Sequence, residues 1–176
     1  MDEVTLMLRP EMPGDAEAVA SVHRAAFPVP EGADEPMEVG LVAALRDGGH
    51  LLEGVTLVAE VDDRVVGHVA CSRGWVGSGS AGGVPAVGIG PIGVLPAVQG
   101  RGVGAALMTT VTRLATDAGE TLLALLGDPA WYARFGYVTS TDVGVEAPDP
   151  AWGVHFQVRP LVPDHPTGRF HYAPPF

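Results

Sequence analysis

Hydrophobic periodicity alternates between the period of a strand and the period of a helix along almost the whole chain. Short apolar runs predict strands over residues 5–9, 57–61, 64–72, 84–95, 121–126 and 155–161. Apolar residues recurring every three or four positions predict helices over 16–27, 37–46 and 102–118. A short helix is predicted to begin at Asp128-Pro129, with Asp128 as its N-cap and Pro129 at its first position, and to end at Gly136. Because strands precede and follow helices throughout, the pattern predicts one mixed α/β sheet with flanking helices.

The predicted strand 84–95 has an unusual composition. Gly88, Gly90, Pro91 and Gly93 interrupt its apolar residues. Glycine or proline inside a strand usually marks a bulge or a place where a ligand or another backbone approaches closely. We therefore expect something to lie against this backbone, whereas the preceding Gly/Ser-rich stretch 74–83 is predicted to be a mobile loop.

Three alternate glycines follow this strand and open the longest predicted helix. Gly100, Gly102 and Gly104 allow successive backbone N–H groups to face one concavity, and the helix start adds unpaired N–H groups and the positive end of its dipole. Such a site binds phosphate groups without lysine, and Arg101 offers a further charged contact. A helix that needs only a tight turn at its start explains the spacing equally well.

The spacing differs from the common nucleotide-binding motifs. It is G-x-G-x-G and not the dinucleotide pattern G-x-G-x-x-G, and no acid ends a second strand about 20 residues later. No Gly-Lys-Ser/Thr follows, which excludes a P-loop.

Two sequence blocks resemble the GNAT superfamily of N-acetyltransferases. Residues 94–104, VLPAVQGRGVG, match its pattern Gln/Arg-x-x-Gly-x-Gly/Ala through Gln99, Gly102 and Gly104, with the preceding Val-x-Pro. Residues 132–137, YARFGY, resemble its Tyr-x-x-x-Gly-Phe block. The segment GDPAWYARFGY and the ending YAPPF are most similar to a bacterial group of predicted N-acetyltransferases of unassigned substrate.

The resemblance implies a fold and a domain boundary. The GNAT fold is a mixed α+β arrangement whose central, mostly antiparallel sheet has a splayed parallel pair. We expect this domain over residues 1–161. A Pro- and aromatic-rich segment over 162–176 would then pack on the domain or on a second subunit, so that a monomer and a homodimer both stay open.

The resemblance also implies a reaction, the transfer of an acetyl group from acetyl-CoA to a primary amine of a small molecule or peptide. The pyrophosphate would lie on the glycine turn, the pantetheine arm would pair with the preceding strand, and the Val94 N–H would polarise the thioester carbonyl. The implied cofactor-binding residues are Ile92, Gly93, Val94, Gln99, Gly100, Arg101, Gly102, Val103, Gly104 and Ala105.

Tyr132 corresponds to the superfamily's usual general acid, which protonates the CoA thiolate; a buried tyrosine that anchors its short helix is the alternative. The general base is not identifiable, because residues 84–95 contain no acid and no histidine. The proton could instead leave through a water held by one of four other side chains, Glu60, His68, Glu31 or Glu35. For Glu60 and His68 a structural role is the better interpretation.

Composition and charge narrow the choice of partners. The chain has 176 residues, is 47% hydrophobic and carries a formal net charge of -11, which argues against nucleic acid and anionic membranes. All of the excess negative charge lies in residues 1–63, and the half with the glycine turn is neutral. We therefore expect a cationic acceptor steered by Glu31, Asp34 and Glu35; a merely solvated acidic surface is the alternative.

The remaining signals are negative or general. The single cysteine, Cys71, excludes an internal disulfide and suits a reducing cytosol, and the acidic start MDEVTLMLRP lacks the features of a signal peptide, so we expect a cytoplasmic location. The histidines show no metal-ligand spacing, and we expect no metal. Two other classes stay open: a non-catalytic acyl-CoA-binding or sensor domain, and a protein that binds nucleotide phosphates.

Overall fold

A computed structural model of the chain describes residues 5–176; the first four residues of the predicted domain, which include the acidic start, lie outside the described residues. The strands are β1 (Leu6–Pro10), β2 (Leu57–Val61), β3 (Arg64–Val76), β4 (Val84–Val94), β5 (Leu122–Leu126), β6 (Val138–Thr139), β7 (Val145–Glu146), β8 (Phe156–Pro160) and β9 (Gly168–His171). The helices are α1 (Ala16–Ala26), α2 (Met37–Asp47), α3 (Val103–Asp117) and α4 (Pro129–Tyr132).

Each strand and helix predicted from periodicity is present, and most ends agree within a residue or two. The prediction of a mobile loop from residue 74 is wrong at its start, because β3 continues to Val76. There Trp75 and Val76 pair with His171 and Phe170 of β9, so that tertiary pairing extends the strand past Gly74. The short strands β6, β7 and β9 carry too few residues to show a period of two.

The described chain forms two compact units, and β3 and β4 each contribute residues to both. The first unit comprises residues 5–70 and 91–111. In it β1 pairs antiparallel with β2, and β2 pairs antiparallel with β3. Helices α1 and α2 pack their apolar faces over a core of Val19, Val42, Val58 and Ala70.

Gly67 brings α3 close to β3 within this unit. A Cβ placed on Gly67 would lie 3.0 Å from Val103 Cγ1 and 3.3 Å from Leu107 Cδ1. Both α3 side chains are buried. This contact fixes the first turn of α3 against the sheet, and with it the glycine turn that precedes the helix.

The second unit comprises residues 71–90 and 112–176. Here β4 runs parallel to β5, with Val87 opposite Leu123, and β5 pairs antiparallel with β8, which pairs antiparallel with β6. β9 pairs antiparallel with the end of β3 and parallel with β7. The predicted mixed sheet, mostly antiparallel with a parallel pair and flanking helices, is confirmed.

The C-terminal segment is built into this second unit. Phe170 of β9 is fully buried against Phe156, with ring centroids 5.6 Å apart, and Tyr172 lies over Gly88. A domain boundary at residue 161 stays a prediction. In residues 5–176 no helix combines the length and the apolar character that a membrane crossing requires.

Candidate active site

The end of β4 and the turn after it are held by two hydrogen bonds in the first unit. The Leu95 N–H donates to the Val66 carbonyl at 2.8 Å, and the Gln99 side-chain amide donates to the Val94 carbonyl at 2.9 Å. The Gln99 side chain therefore folds back onto the strand that precedes it. Its place in the motif is explained by this bond, which fixes the geometry of the turn.

The glycine turn has a backbone that only glycine adopts easily. Gly100 and Gly102 have φ values of +74° and +83°, and a Cβ on either would meet no atom within 4 Å. The left-handed backbone requires glycine there, and the space in front of the turn is open. Arg101, between them, is exposed.

Helix α3 begins directly at this turn. The Ala106 N–H donates to the Gly102 carbonyl at 2.9 Å, which closes the first helical turn. The N–H groups of Val103, Gly104 and Ala105 belong to that first turn, where an α-helix supplies no acceptor. Because the Val103 side chain is buried, this residue offers its backbone to the site and its side chain to the core.

Tyr132 lies in the second unit, at the end of the short helix α4. Asp128 caps this helix by accepting a hydrogen bond from the Ala130 N–H at 2.9 Å, as the sequence predicts. The Tyr132 ring lies so close to Gly127 that any Cβ there would overlap it. Burial raises the pKa of Tyr132 to about 12, so the phenol keeps its proton at neutral pH and can donate it.

A chain of four polar side chains runs through the interior of the first unit. Arg46 donates to Glu11 at 2.6 Å, Glu11 Oε2 lies 2.8 Å from His68 Nε2, and His68 Nδ1 lies 2.8 Å from His23 Nε2. Both histidines are completely buried, and the Glu11 side chain is 8% exposed. We call Glu11, His68 and His23 the buried relay.

The buried relay stops at an atom without a partner. His23 Nδ1 is buried and makes no hydrogen bond within the described residues. It faces β4, where a Cβ on Gly93 would lie 2.9 Å from it. Most buried polar atoms in native proteins are satisfied by protein, water or ligand, so this atom is a candidate contact for a water or a substrate.

The charge states within the buried relay follow from burial and from its neighbours. Burial and the nearby His68 lower the pKa of His23 to about 3, and burial lowers the pKa of His68 although Glu11 opposes this. Burial alone would raise the pKa of Glu11, but hydrogen bonds from His68 and Arg46 outweigh it and keep the pKa below its usual value. At neutral pH the relay thus holds one carboxylate and two neutral imidazoles.

The side chains suggested by the sequence as bases occupy different environments. Glu60 accepts a hydrogen bond from Arg9 at 2.6 Å, and Arg9 also donates to Asp15. The Asp15 carboxylate accepts from Arg9 and from the Met12 N–H, and it does not cap α1. Glu35 accepts from Arg24 at 3.1 Å. Glu31 is exposed, and His68 belongs to the buried relay.

Sequence reasoning missed Glu11 and His23. Glu11 follows β1 directly, and His23 continues the apolar face of α1 formed by Val19 and Val22. A histidine on an apolar helix face and a second one, His68, inside an apolar strand were the available signals. Their contact links residues 45 positions apart, which local patterns cannot reveal.

The structure describes the surroundings of the single cysteine and of the side chains that can ligate metals. Cys71 is fully buried, and burial raises the pKa of its thiol well above the ordinary value, so it is a poor nucleophile. Within residues 5–176 no group of three or more His, Cys, Asp or Glu side chains is arranged to hold a metal ion.

Comparison with known proteins identifies the family. Residues 16–137 match the Acetyltransferase (GNAT) family. The chain belongs to the GNAT family. The uncharacterized N-acetyltransferase YhbS of Escherichia coli K12 is 30% identical over 164 residues, which cover 93% of this chain and 92% of YhbS.

Two crystal structures of GNAT proteins are similar over the full length. YhbS from Escherichia coli in complex with CoA has a TM-score of 0.87 and 28% identity, covering 100% of this chain and 94% of that one. A GNAT family acetyltransferase from Brucella melitensis in complex with acetyl-CoA has a TM-score of 0.77 and 32% identity, covering 99% of both chains. The predicted family, fold and enzyme class are confirmed.

The lowered pKa of His23 predicts a loss of stability in acid. Below pH 6.5 the unfolded chain protonates this histidine and the folded chain does not, so stability falls by up to about 1.4 kcal/mol per pH unit. Between pH 6.5 and 5 we expect a loss of about 1.6 kcal/mol that His23→Leu removes. Urea unfolding at both pH values measures it, with His165→Gln as the control that retains the loss; equal slopes in wild type and His23→Leu would contradict the prediction.

Proposed function

We propose that this GNAT protein transfers the acetyl group of acetyl-CoA to a primary amine by direct attack. The observation that carries the proposal is the open glycine turn between β4 and α3, whose left-handed glycines precede the free N–H groups of a 15-residue helix. Backbone N–H groups at a helix start bind phosphate oxygens. YhbS and the Brucella melitensis relative, whose crystal structures contain CoA and acetyl-CoA, support the same co-substrate.

The co-substrate would lie along the backbone from β4 to α3. Its pyrophosphate would accept hydrogen bonds from the backbone between Gln99 and Ala105. Its pantetheine arm would pair with Ile92–Val94, where Gly93 presents no side chain and Gly90, at a φ of +132°, departs from regular strand geometry. The Val94 N–H is the proposed donor to the thioester carbonyl, which gains negative charge as the amine attacks.

Tyr132 is the proposed general acid. When the tetrahedral intermediate collapses, the C–S bond breaks and the thiolate takes the phenolic proton. Burial raises the pKa of the phenol to about 12, so Tyr132 is protonated before the C–S bond breaks. Its T-shaped contacts with the rings of Trp131 and Tyr137, at centroid distances of 4.7 and 5.9 Å, support a fixed orientation for the donor.

The proposed acceptor is a cationic amine. Glu31 and Asp34 are exposed on the loop between α1 and α2, whereas Glu35 is partly neutralised by its contact with Arg24. Exposed carboxylates attract a cation over about one Debye length, roughly 8 Å at physiological salt. This loop is therefore the proposed entrance for the acceptor. The location of the protein in the cytoplasm stays a prediction.

The function is tested with acetyl-CoA and three amine probes: spermidine, tyramine and a tripeptide with a free α-amino group. We expect thiol release and an acetylated product with at least one probe, and a KM for spermidine that rises with salt because screening weakens the attraction. Tight CoA binding without turnover on any amine would instead indicate an acyl-CoA sensor. Displacement of CoA by ATP or NAD would indicate a protein that binds nucleotide phosphates.

Tyr132→Phe removes the proposed acid and keeps the ring. We expect kcat to fall by at least tenfold, with the Kd for acetyl-CoA nearly unchanged, because the hydroxyl acts only as the thiolate leaves. Steady-state kinetics and calorimetric binding measure the two quantities. Tyr137→Phe is the matched control, because it removes the same hydroxyl from an adjacent buried ring to which the proposal gives no role, and it should leave kcat unchanged. Equal kcat in wild type and Tyr132→Phe would remove the assignment.

Gly104→Val tests the phosphate turn. The added side chain would lie in the first turn of α3 and obstruct the N–H groups there, so we expect at least a hundredfold weaker acetyl-CoA binding in a folded protein. Ala118→Val, at an exposed position just beyond the other end of α3, should bind normally. Retained affinity in the Gly104 variant, measured by calorimetry, would show that CoA binds elsewhere.

A further inference from the structure

We propose that His23 is the general base of the transfer, and that His68 and Glu11 are positioning residues that direct the lone pair of its Nδ1 towards β4. The proposal rests on the proposed function, because the proton that His23 accepts is the one carried by the acceptor ammonium. His23 would be the base that β4 itself lacks, since residues 84–95 contain no titratable side chain.

The tautomers follow from the carboxylate at the other end of the relay. An ionised Glu11 only accepts, so His68 must place its proton on Nε2, 2.8 Å from Glu11 Oε2. His68 Nδ1 is then bare and accepts, so His23 must place its proton on Nε2, 2.8 Å away. The remaining nitrogen, His23 Nδ1, therefore carries a free lone pair, the form a base requires.

The free lone pair lies at the segment proposed for acetyl-CoA. His23 Nδ1 would be 2.9 Å from a Cβ on Gly93, between Ile92 and Val94. A larger residue at position 93 would fill the place where Nδ1 meets the strand. Phe27 stacks on the His23 imidazole with ring centroids 5.7 Å apart, which holds the ring in place.

The orphaned nitrogen is the independent sign of a ligand. His23 is fully buried, and Nδ1 has no partner within the described residues. A buried acceptor left without a hydrogen bond costs free energy. The acceptor amine, directly or through one bridging water, supplies the missing donor.

The proton transfer balances along the relay. An N–H bond of the ammonium breaks and an Nδ1–H bond forms on His23; the His23 Nε2 proton moves to His68 Nδ1, and the His68 Nε2 proton moves to Glu11. The products are a neutral amine, two neutral imidazoles of opposite tautomer and a carboxylic acid. Arg46, 2.6 Å from Glu11 and 26% exposed, then favours release of the proton to solvent.

The charged groups around His23 are all accounted for within the described residues. Glu11 and Arg46 act on it from the end of β1 and from α2, and His68 from β3; Asp15 acts on His68. From β4 no titratable group faces it. The carboxylate of Glu11 therefore neutralises the proton that enters the relay at His23, and both imidazoles end neutral.

The test compares His23→Gln and Glu11→Gln with wild type from pH 7 to pH 10, on whichever of spermidine, tyramine and the tripeptide wild type acetylates best. Glutamine at 23 keeps a hydrogen bond to His68 without a basic nitrogen. At pH 7 we expect kcat to fall about a hundredfold in His23→Gln and about tenfold in Glu11→Gln. Both deficits should shrink below about fivefold near pH 10, where roughly a third of an amine with a pKa of about 10.4 is already neutral and needs no base.

A purely structural role would lower kcat by the same factor at every pH, and that result overturns the proposal. Glu120→Gln is the matched control, because Glu120 is also a largely buried carboxylate paired with an arginine, Arg73, at 2.7 Å. It should leave the pH profile unchanged. Melting temperatures and the Kd for acetyl-CoA confirm that each variant is folded and binds its co-substrate.

Two further results separate the possible failures. Absence of wild-type turnover on every amine overturns the proposed function and, with it, the base. If neither variant folds, ¹⁵N chemical shifts of the wild-type histidines decide: a bare Nδ1 and protonated Nε2 on His23 support the proposal, and the opposite tautomer overturns it.

Discussion

The first unit depends on the ionised carboxylate of Glu11. This almost buried group joins the end of β1 to α2 through Arg46 and to β3 through His68. Removing one partner of a buried ion pair typically costs about 3–5 kcal/mol, because the other charge is left uncompensated. The same carboxylate fixes the tautomers of His68 and His23, so one charge determines both the packing of the unit and the chemistry available beside β4.

Missing side chains shape the rest of the candidate site. Gly93 leaves room for the His23 ring, and Gly67 allows α3 to approach β3. At Gly100 and Gly102 the reason differs, because space is open there and the left-handed backbone alone requires glycine. Crowding and backbone conformation are thus separate reasons for glycine in this sequence. Alanine would cause steric overlap at Gly93 and Gly67, and backbone strain at Gly100 and Gly102.

The acidity of the first 63 residues has two physical origins. Part of it is internal: Glu11, Asp15 and Glu60 are largely buried and paired with Arg46 and Arg9. The rest includes the exposed carboxylates of the loop after α1, such as Glu31 and Asp34. Net charge by segment therefore overstates the field that an approaching acceptor meets, since the internal pairs are already compensated.

The sequence by itself determined the order of the main strands and helices, the glycine turn and the family. Each follows from a local pattern: apolar residues recurring with a period of two or 3.6, a helix cap at Asp128, or a motif within eleven residues such as 94–104. Tertiary structure alone decided that β3 extends to Val76 and that Glu11 meets His68 and His23. The β3–β9 pairs join positions up to 96 residues apart, and Glu11 and His68 are 57 residues apart. Burial then set the protonation of each group, and burial exists only once distant segments have packed.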